Sequence, residues 1–174
     1  MRTVNLRSFR QTVRHNKRRF RIFLSRLQRH TPRGLDGLVL KTDESIWKNI
    51  NCLDCANCCK TMSPTYSSGD ISRISKHLGM TERSFKRKWL VRDKNGDWLN
   101  ESLPCQFLDK ESNKCSIYDV RPRDCAGFPH HNKKKMIDYM HVYKQNIEYC
   151  PATFKVIQQM MDAVRFDKAP IEQP

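Results

Sequence analysis

Three observations predict an α+β chain that is mainly α: a small, metal-stabilised cysteine-cluster domain with short hairpins and a basic N-terminal helix. Four of the eight cysteines fall between Cys52 and Cys59, the apolar share is only 38%, and the apolar residues outside two turn-like stretches recur at helical spacing. An apolar share below the usual 45–50% or so leaves a thin core. A domain short of apolar surface commonly obtains its missing stability from cross-links or metal. The 174 residues suffice for one domain with an appendage. The expected division is a basic helical arm and connector at 1–41, a cysteine-cluster domain at 42–166 and a disordered tail at 167–174. No run of about 18 apolar residues occurs, and the N-terminus lacks the apolar stretch of a signal peptide, so a soluble, cytoplasmic protein is expected. In a reducing compartment, clustered cysteines point to metal ligation over disulfides.

Charge is distributed unevenly. Residues 1–35 hold eleven basic side chains and no acid, so of the formal +15 only +4 remains for the rest of the chain. Within residues 5–29, Leu6, Phe9, Val13, Phe20, Phe23, Leu24 and Leu27 recur at steps of three, four and seven among arginines, which predicts one amphipathic helix closed by Pro32 and Gly34. Its apolar stripe can dock on the cysteine domain and leave the arginines in water. Its charge also suits nucleic acid or an anionic membrane, and an organelle-targeting presequence shares the composition.

Leu35 to Lys41, with Gly34 and Gly37 nearby, is expected to be a connector, and Ser45 to Ile50 a turn of helix leading into the cysteine run. Residues 61–69 are loop in composition, and a helix is expected from about Asp70, with Ile71, Ile74 and Leu78 on one face and Gly79 as its cap. Thr81 can cap a second helix carrying Phe85 and Trp89, giving a helix-turn-helix shape that DNA-binding modules also use, read here as structural. Asp93-Lys94-Asn95-Gly96-Asp97 predicts a hairpin turn between Trp89–Val91 and Trp98–Asn100. A second hairpin is expected between Cys105–Asp109 and Cys115–Tyr118, although no glycine relieves its turn. Pro122 stiffens the segment that delivers Cys125. Pro151 at a first helical position makes Cys150 the N-cap of a last helix marked by Phe154, Ile157, Met161 and Val164.

The cysteines stand at 52, 55, 58, 59, 105, 115, 125 and 150, one compact run and four scattered ligand candidates, enough for two four-sulfur sites. On a helix the run's side chains would share an arc of roughly 120°, and a tight loop would also turn them to a common centre. Adjacent cysteines such as Cys58 and Cys59 rarely bridge each other. Zinc sites usually take two close pairs, and residues 60–174 contain no such pair. The spaced triplet with a distant cysteine followed by proline is instead that of bacterial ferredoxins, which favours an iron-sulfur cluster, with zinc as the alternative. Arg121 and Arg123 are candidate cofactor-binding residues, placed to offset thiolate charge or donate to sulfur. His130 and His131 could replace a cysteine, whereas His77 is expected to pack on a helix.

Cys52-Leu53-Asp54-Cys55-Ala56-Asn57-Cys58-Cys59 carries the Cys-x-x-Cys-x-x-Cys-Cys signature of the bacterial YkgJ-like cysteine-cluster proteins, and the chain resembles that zinc- or iron-chelating family over about residues 50–152. Pro104-Cys105-Gln106-Phe107-Leu108 is similar to its Cys-Pro-Phe-Leu element, and Cys115-Ser116-Ile117-Tyr118 with Arg121-Pro122 and Cys125 to its Cys-x-Ile-Tyr...Arg-Pro...Cys element. The resemblance implies a cysteine-chelated metal centre. The expected function is a metal-binding or electron-transfer module with a redox protein partner. The alternatives are an iron-sulfur oxidoreductase or protein-maturation enzyme, and a zinc-stabilised nucleic-acid-binding protein acting through residues 1–35. No acid-base pair, phosphate loop or dinucleotide fingerprint accompanies the cysteines.

Overall fold

A computed structural model describes residues 4–133 and 135–164; the tail expected at 167–174 lies outside them. In chain order the helices are α1 (Leu6–Arg29), α2 (Leu35–Trp47), α3 (Cys52–Cys55), α4 (Asn57–Thr61), α5 (Ser68–His77) and α6 (Glu82–Trp89). The strands β1 (Leu90–Arg92) and β2 (Trp98–Asn100) follow, then a 3₁₀ turn at Tyr118–Val120, α7 (Arg123–Gly127), a 3₁₀ turn at Met136–Tyr139, α8 (Met140–Asn146) and α9 (Pro151–Ala163). The chain is therefore mainly α with a two-stranded sheet, as the sequence predicts. No helix among the described residues is long and apolar enough to cross a membrane. The residues group into two compact units, 1–50 with 129–174, and 51–128.

In the first unit, Asn5 caps α1 by accepting from the Ser8 amide at 2.9 Å, and Phe9, Val13, Phe20, Phe23, Leu24 and Leu27 bury one face. That face meets α8 and α9, with the Phe9 and Phe20 rings 5.8 and 4.6 Å from Phe154. The segment expected to be a connector is instead part of α2. Leu35, Val39, Thr42 and Ile46 are buried at helical intervals against α9, and this packing outweighs the helix penalty of Gly37. No expected element corresponds to α8, yet Met136, Met140, Tyr143 and Ile147 recur at the same spacing and are all buried. Cys150 is the N-cap of α9 and Pro151 stands at its start, as expected, although the thiol makes no capping bond. The buried register of α9 runs through Phe154, Val156, Ile157 and Met160, with Met161 turned half out.

The second unit has its own core of Tyr66, Ile71, Ile74, Phe85, Leu90, Phe107 and Ile117. Ser67 and Asp70 form a reciprocal capping box that starts α5 slightly earlier than predicted, and Gly79 takes the left-handed conformation just beyond its end, φ +64°. Thr81 caps α6, as expected. The first hairpin pairs Leu90 with Asn100 and Arg92 with Trp98, and Asp93 Oδ1 accepts from the amides of Asn95 and Asp97. The second expected hairpin is reduced to a single bridge, Leu108 to Cys115. Its glycine-free turn is made by Asn113 at φ 59° and by Asp109, which accepts from the amides of Glu111 and Ser112.

Leu24 is fully buried, so Leu24→Ala should lower unfolding stability by about 2–5 kcal/mol in a urea titration. A second prediction concerns Asp70. Burial opposes its ionisation, but bonds from Ser67, Arg73 and the Arg123 amide outweigh this and hold the carboxyl below its ordinary range. Its stabilisation is therefore present above the unfolded value of about 3.9 and lost as pH falls through the lowered native value. Asp70→Ala should cost about 1–3 kcal/mol at neutral pH and flatten the acid limb of the stability curve. An unchanged acid limb would show that the carboxylate is not held ionised by these partners.

Candidate metal centre

The cysteine run is neither one helix nor a loop but two short helical turns broken at Ala56, whose φ of 46° is left-handed. An alanine pays about 1 kcal/mol or more there, a strain held in place by the surrounding bonds. Asn51 caps α3 through the Leu53 amide at 3.0 Å, the Ala56 amide reaches the Cys52 carbonyl, and the Met62 amide reaches Cys58. The reversal places Cys52 and Cys55 on one turn and Cys58 and Cys59 on the next. A 2.8 Å bond from the Cys105 amide to the Cys59 carbonyl then pins a scattered cysteine to the run.

The thiols influence one another. Cys58 and Cys59 lie with sulfurs 3.9 Å apart. Hydrogen bonding with Cys58 lowers Cys52 to about 7 and also lowers Cys59, while Cys58 itself is pushed up by its two neighbours and by burial. The Arg121 charge adds to the effect at Cys52 and also acts on Cys115. Burial pushes Cys55, Cys105, Cys115 and Cys125 up. For Cys125 the negative charges of Cys59, Cys105, Asp124 and Cys115 add to burial.

Backbone donors counter the rise. The amides of Asn57, Phe107 and Ile117 hydrogen-bond the sulfurs of Cys55, Cys105 and Cys115, each from two residues ahead. Such bonds favour the thiolate, the form that binds metal. A further helper is Asn100, which sequence reasoning missed. Its Oδ1 accepts from Tyr66 Oη at 2.6 Å and Gln106 Nε2 at 3.2 Å, and the Asn100 side chain lowers the Cys105 thiol. The Nδ2 atom is buried without a nitrogen or oxygen partner. Tyr66 is in turn pushed up, by burial and then by the charges of Cys105, Cys125 and Cys115.

The other expected residues fall as follows. Arg121 lies over the Tyr118 ring at 3.8 Å and donates to the Tyr118 carbonyl. The Arg123 side chain is exposed, and its amide serves Asp70. Cys150 belongs to the first unit, as do His130 and His131. Both ring nitrogens of His131 are engaged, with Asp43 Oδ1 at 2.6 Å and Thr153 Oγ1 at 2.9 Å, so this histidine is a packed, hydrogen-bonded core residue. Among the described residues no three Cys, His, Asp or Glu side chains converge tightly enough to hold a metal as they stand. The donor set nevertheless fits a thiophilic metal in its chemistry, being all sulfur with amide donors aimed at three of the sulfurs.

The family described as "CxxCxxCC: Putative zinc- or iron-chelating domain" matches residues 51–151. The chain belongs to this family. An uncharacterized protein of Methanocaldococcus jannaschii is 33% identical over 84 residues, covering 46% of this chain and 44% of its own length. The chain thus spans less than half of that relative's length. No solved structure matches significantly.

The lowered Cys52 should be the first thiol of metal-free protein to react with iodoacetamide. Its labelling rate, followed by mass spectrometry, is expected to reach half its plateau near pH 7, while Cys55 and Cys125 remain slow until above pH 9. A Cys52 half-point above pH 9 would contradict this arrangement.

Proposed function

We propose that the chelating domain holds an iron-sulfur cluster on its cysteines and serves as a metal-binding or electron-transfer module in the reducing cytoplasm, working with a redox protein partner. The observation that carries this reading is the set of seven thiols in residues 51–128, of which Cys59, Cys105, Cys115 and Cys125 act on one another and three carry amide donors. Left metal-free, such a set is unfavourable in either protonation state: burial penalises the thiolates, and the protonated forms accept those amide bonds poorly. A metal ion or cluster supplies the positive charge that lets several thiolates coexist. Zinc would satisfy the same sulfurs, but the ligand spacing lacks zinc's usual two close pairs, which favours iron and sulfide.

The ligands proposed are Cys52, Cys55, Cys58, Cys59, Cys105, Cys115 and Cys125, with Cys150 as the eighth cysteine of the expected set. Arg121 would contribute charge to Cys52 and Cys115. Arg123 would act through its backbone alone. Cys55→Ser and Cys125→Ser should each lower bound metal by half or more and lower the melting temperature, because binding free energy here is folding free energy. Cys150→Ser is the informative comparison: unchanged metal content restricts the ligands to seven. Full occupancy and unchanged melting in both Cys55→Ser and Cys125→Ser would refute the assignment.

A further inference from the structure

We infer that the solvent face of α1 is a docking surface for the phosphate backbone of double-stranded nucleic acid, an activity separate from the metal centre. At about 100° per residue, Arg7, Arg14, Arg18 and Arg29 lie within an arc of about 60°, directly opposite the buried stripe of Phe9, Phe20 and Leu27. All four arginines are exposed and form no ion pair among the described residues. Lys17 and Arg21, on the flank, are partly neutralised by Glu148 at 2.7 and 3.9 Å, while Arg10 and Arg19 lie exposed on either side of the crest and widen the cationic face.

Two other polyanions fit less well. A basic amphipathic helix binds a bilayer by burying its apolar face among the acyl chains. The apolar face of α1 is already buried against α8 and α9, and only Ile22, 56% exposed, remains as a large apolar residue on the arginine side. Single strands are held by stacking bases on aromatic side chains. The phenylalanines of α1, Phe9, Phe20 and Phe23, are all buried, so this face offers a base no Phe, Tyr or Trp ring to stack on. What remains is contact to phosphates without base readout. The 24-residue helix is about 36 Å long, close to one turn of a duplex, and Arg7, Arg14, Arg18 and Arg29 are spread along it at rises of about 10, 6 and 16 Å.

The test uses the whole chain as purified. A fluorescein-labelled duplex of about 20 base pairs, as DNA and as RNA, is titrated at about 50 and 200 mM salt and followed by anisotropy. The exposed triple variant Arg14→Gln/Arg18→Gln/Arg29→Gln should bind at least about tenfold more weakly and lose about two to three units of the log-log salt slope. The control Arg83→Gln/Arg87→Gln/Lys110→Gln removes the same charge from exposed positions of the other unit and should change binding less than about threefold. Melting curves of both variants confirm folding. Absence of duplex binding by the wild type overturns the inference, as does an equal loss in the two variants. Tighter binding to single strands, or to vesicles rich in phosphatidylserine, overturns it in favour of those ligands.

Discussion

The residues from 51 to 128 are arranged around the difficulty of keeping several sulfurs close together and partly out of water. Ionised, they repel one another and suffer burial; protonated, they waste the amide donors directed at them. Much of the local structure addresses that conflict. The left-handed Ala56 folds the cysteine run back on itself, and the Cys105 amide fastens its segment to Cys59. Tyr66 and Gln106 fix the Asn100 amide beside Cys105. Asp70, through the Arg123 amide and through Arg73, which reaches the Arg121 carbonyl, anchors the stretch that leads to Cys125. None of these contacts adds much apolar surface. They position sulfurs instead of extending the core.

The unit formed by 1–50 and 129–174 is built differently. Its helices bury a conventional core, and its one deeply buried histidine is a hydrogen-bonded link between Asp43 and Thr153. The positive charge of the chain accumulates on the outer face of α1 because the inner face is spent on packing. The same amphipathic pattern therefore has two consequences, a core contact and a concentrated cationic surface.

Much of this was legible in the sequence where local chemistry decides. Thr81 and Pro151 mark helix starts because they satisfy or forgo orphan amides, and Asp93 to Asp97 marks its turn because its side chains and Gly96 favour it. The cysteine run announced its chemistry by density alone. What escaped was decided by distant contacts. Gly34 and Gly37 disguised α2, whose helix depends on packing against α9. His131 looked like a spare ligand, and its partner Asp43 lies 88 residues away. Ala56 carries no local sign of a left-handed backbone, and Asn100 gains its meaning from Tyr66 and Cys105. Cys150 was correctly read as a helix cap, but spacing alone could not show that it falls in a different compact unit from the other seven cysteines.

The most direct test of the central claim is elemental and acid-labile sulfide analysis of the wild-type protein purified without oxygen. The account predicts bound iron with stoichiometric sulfide. Zinc without sulfide would contradict the iron-sulfur assignment while keeping the chelating centre, and folded protein with neither metal would contradict the centre itself.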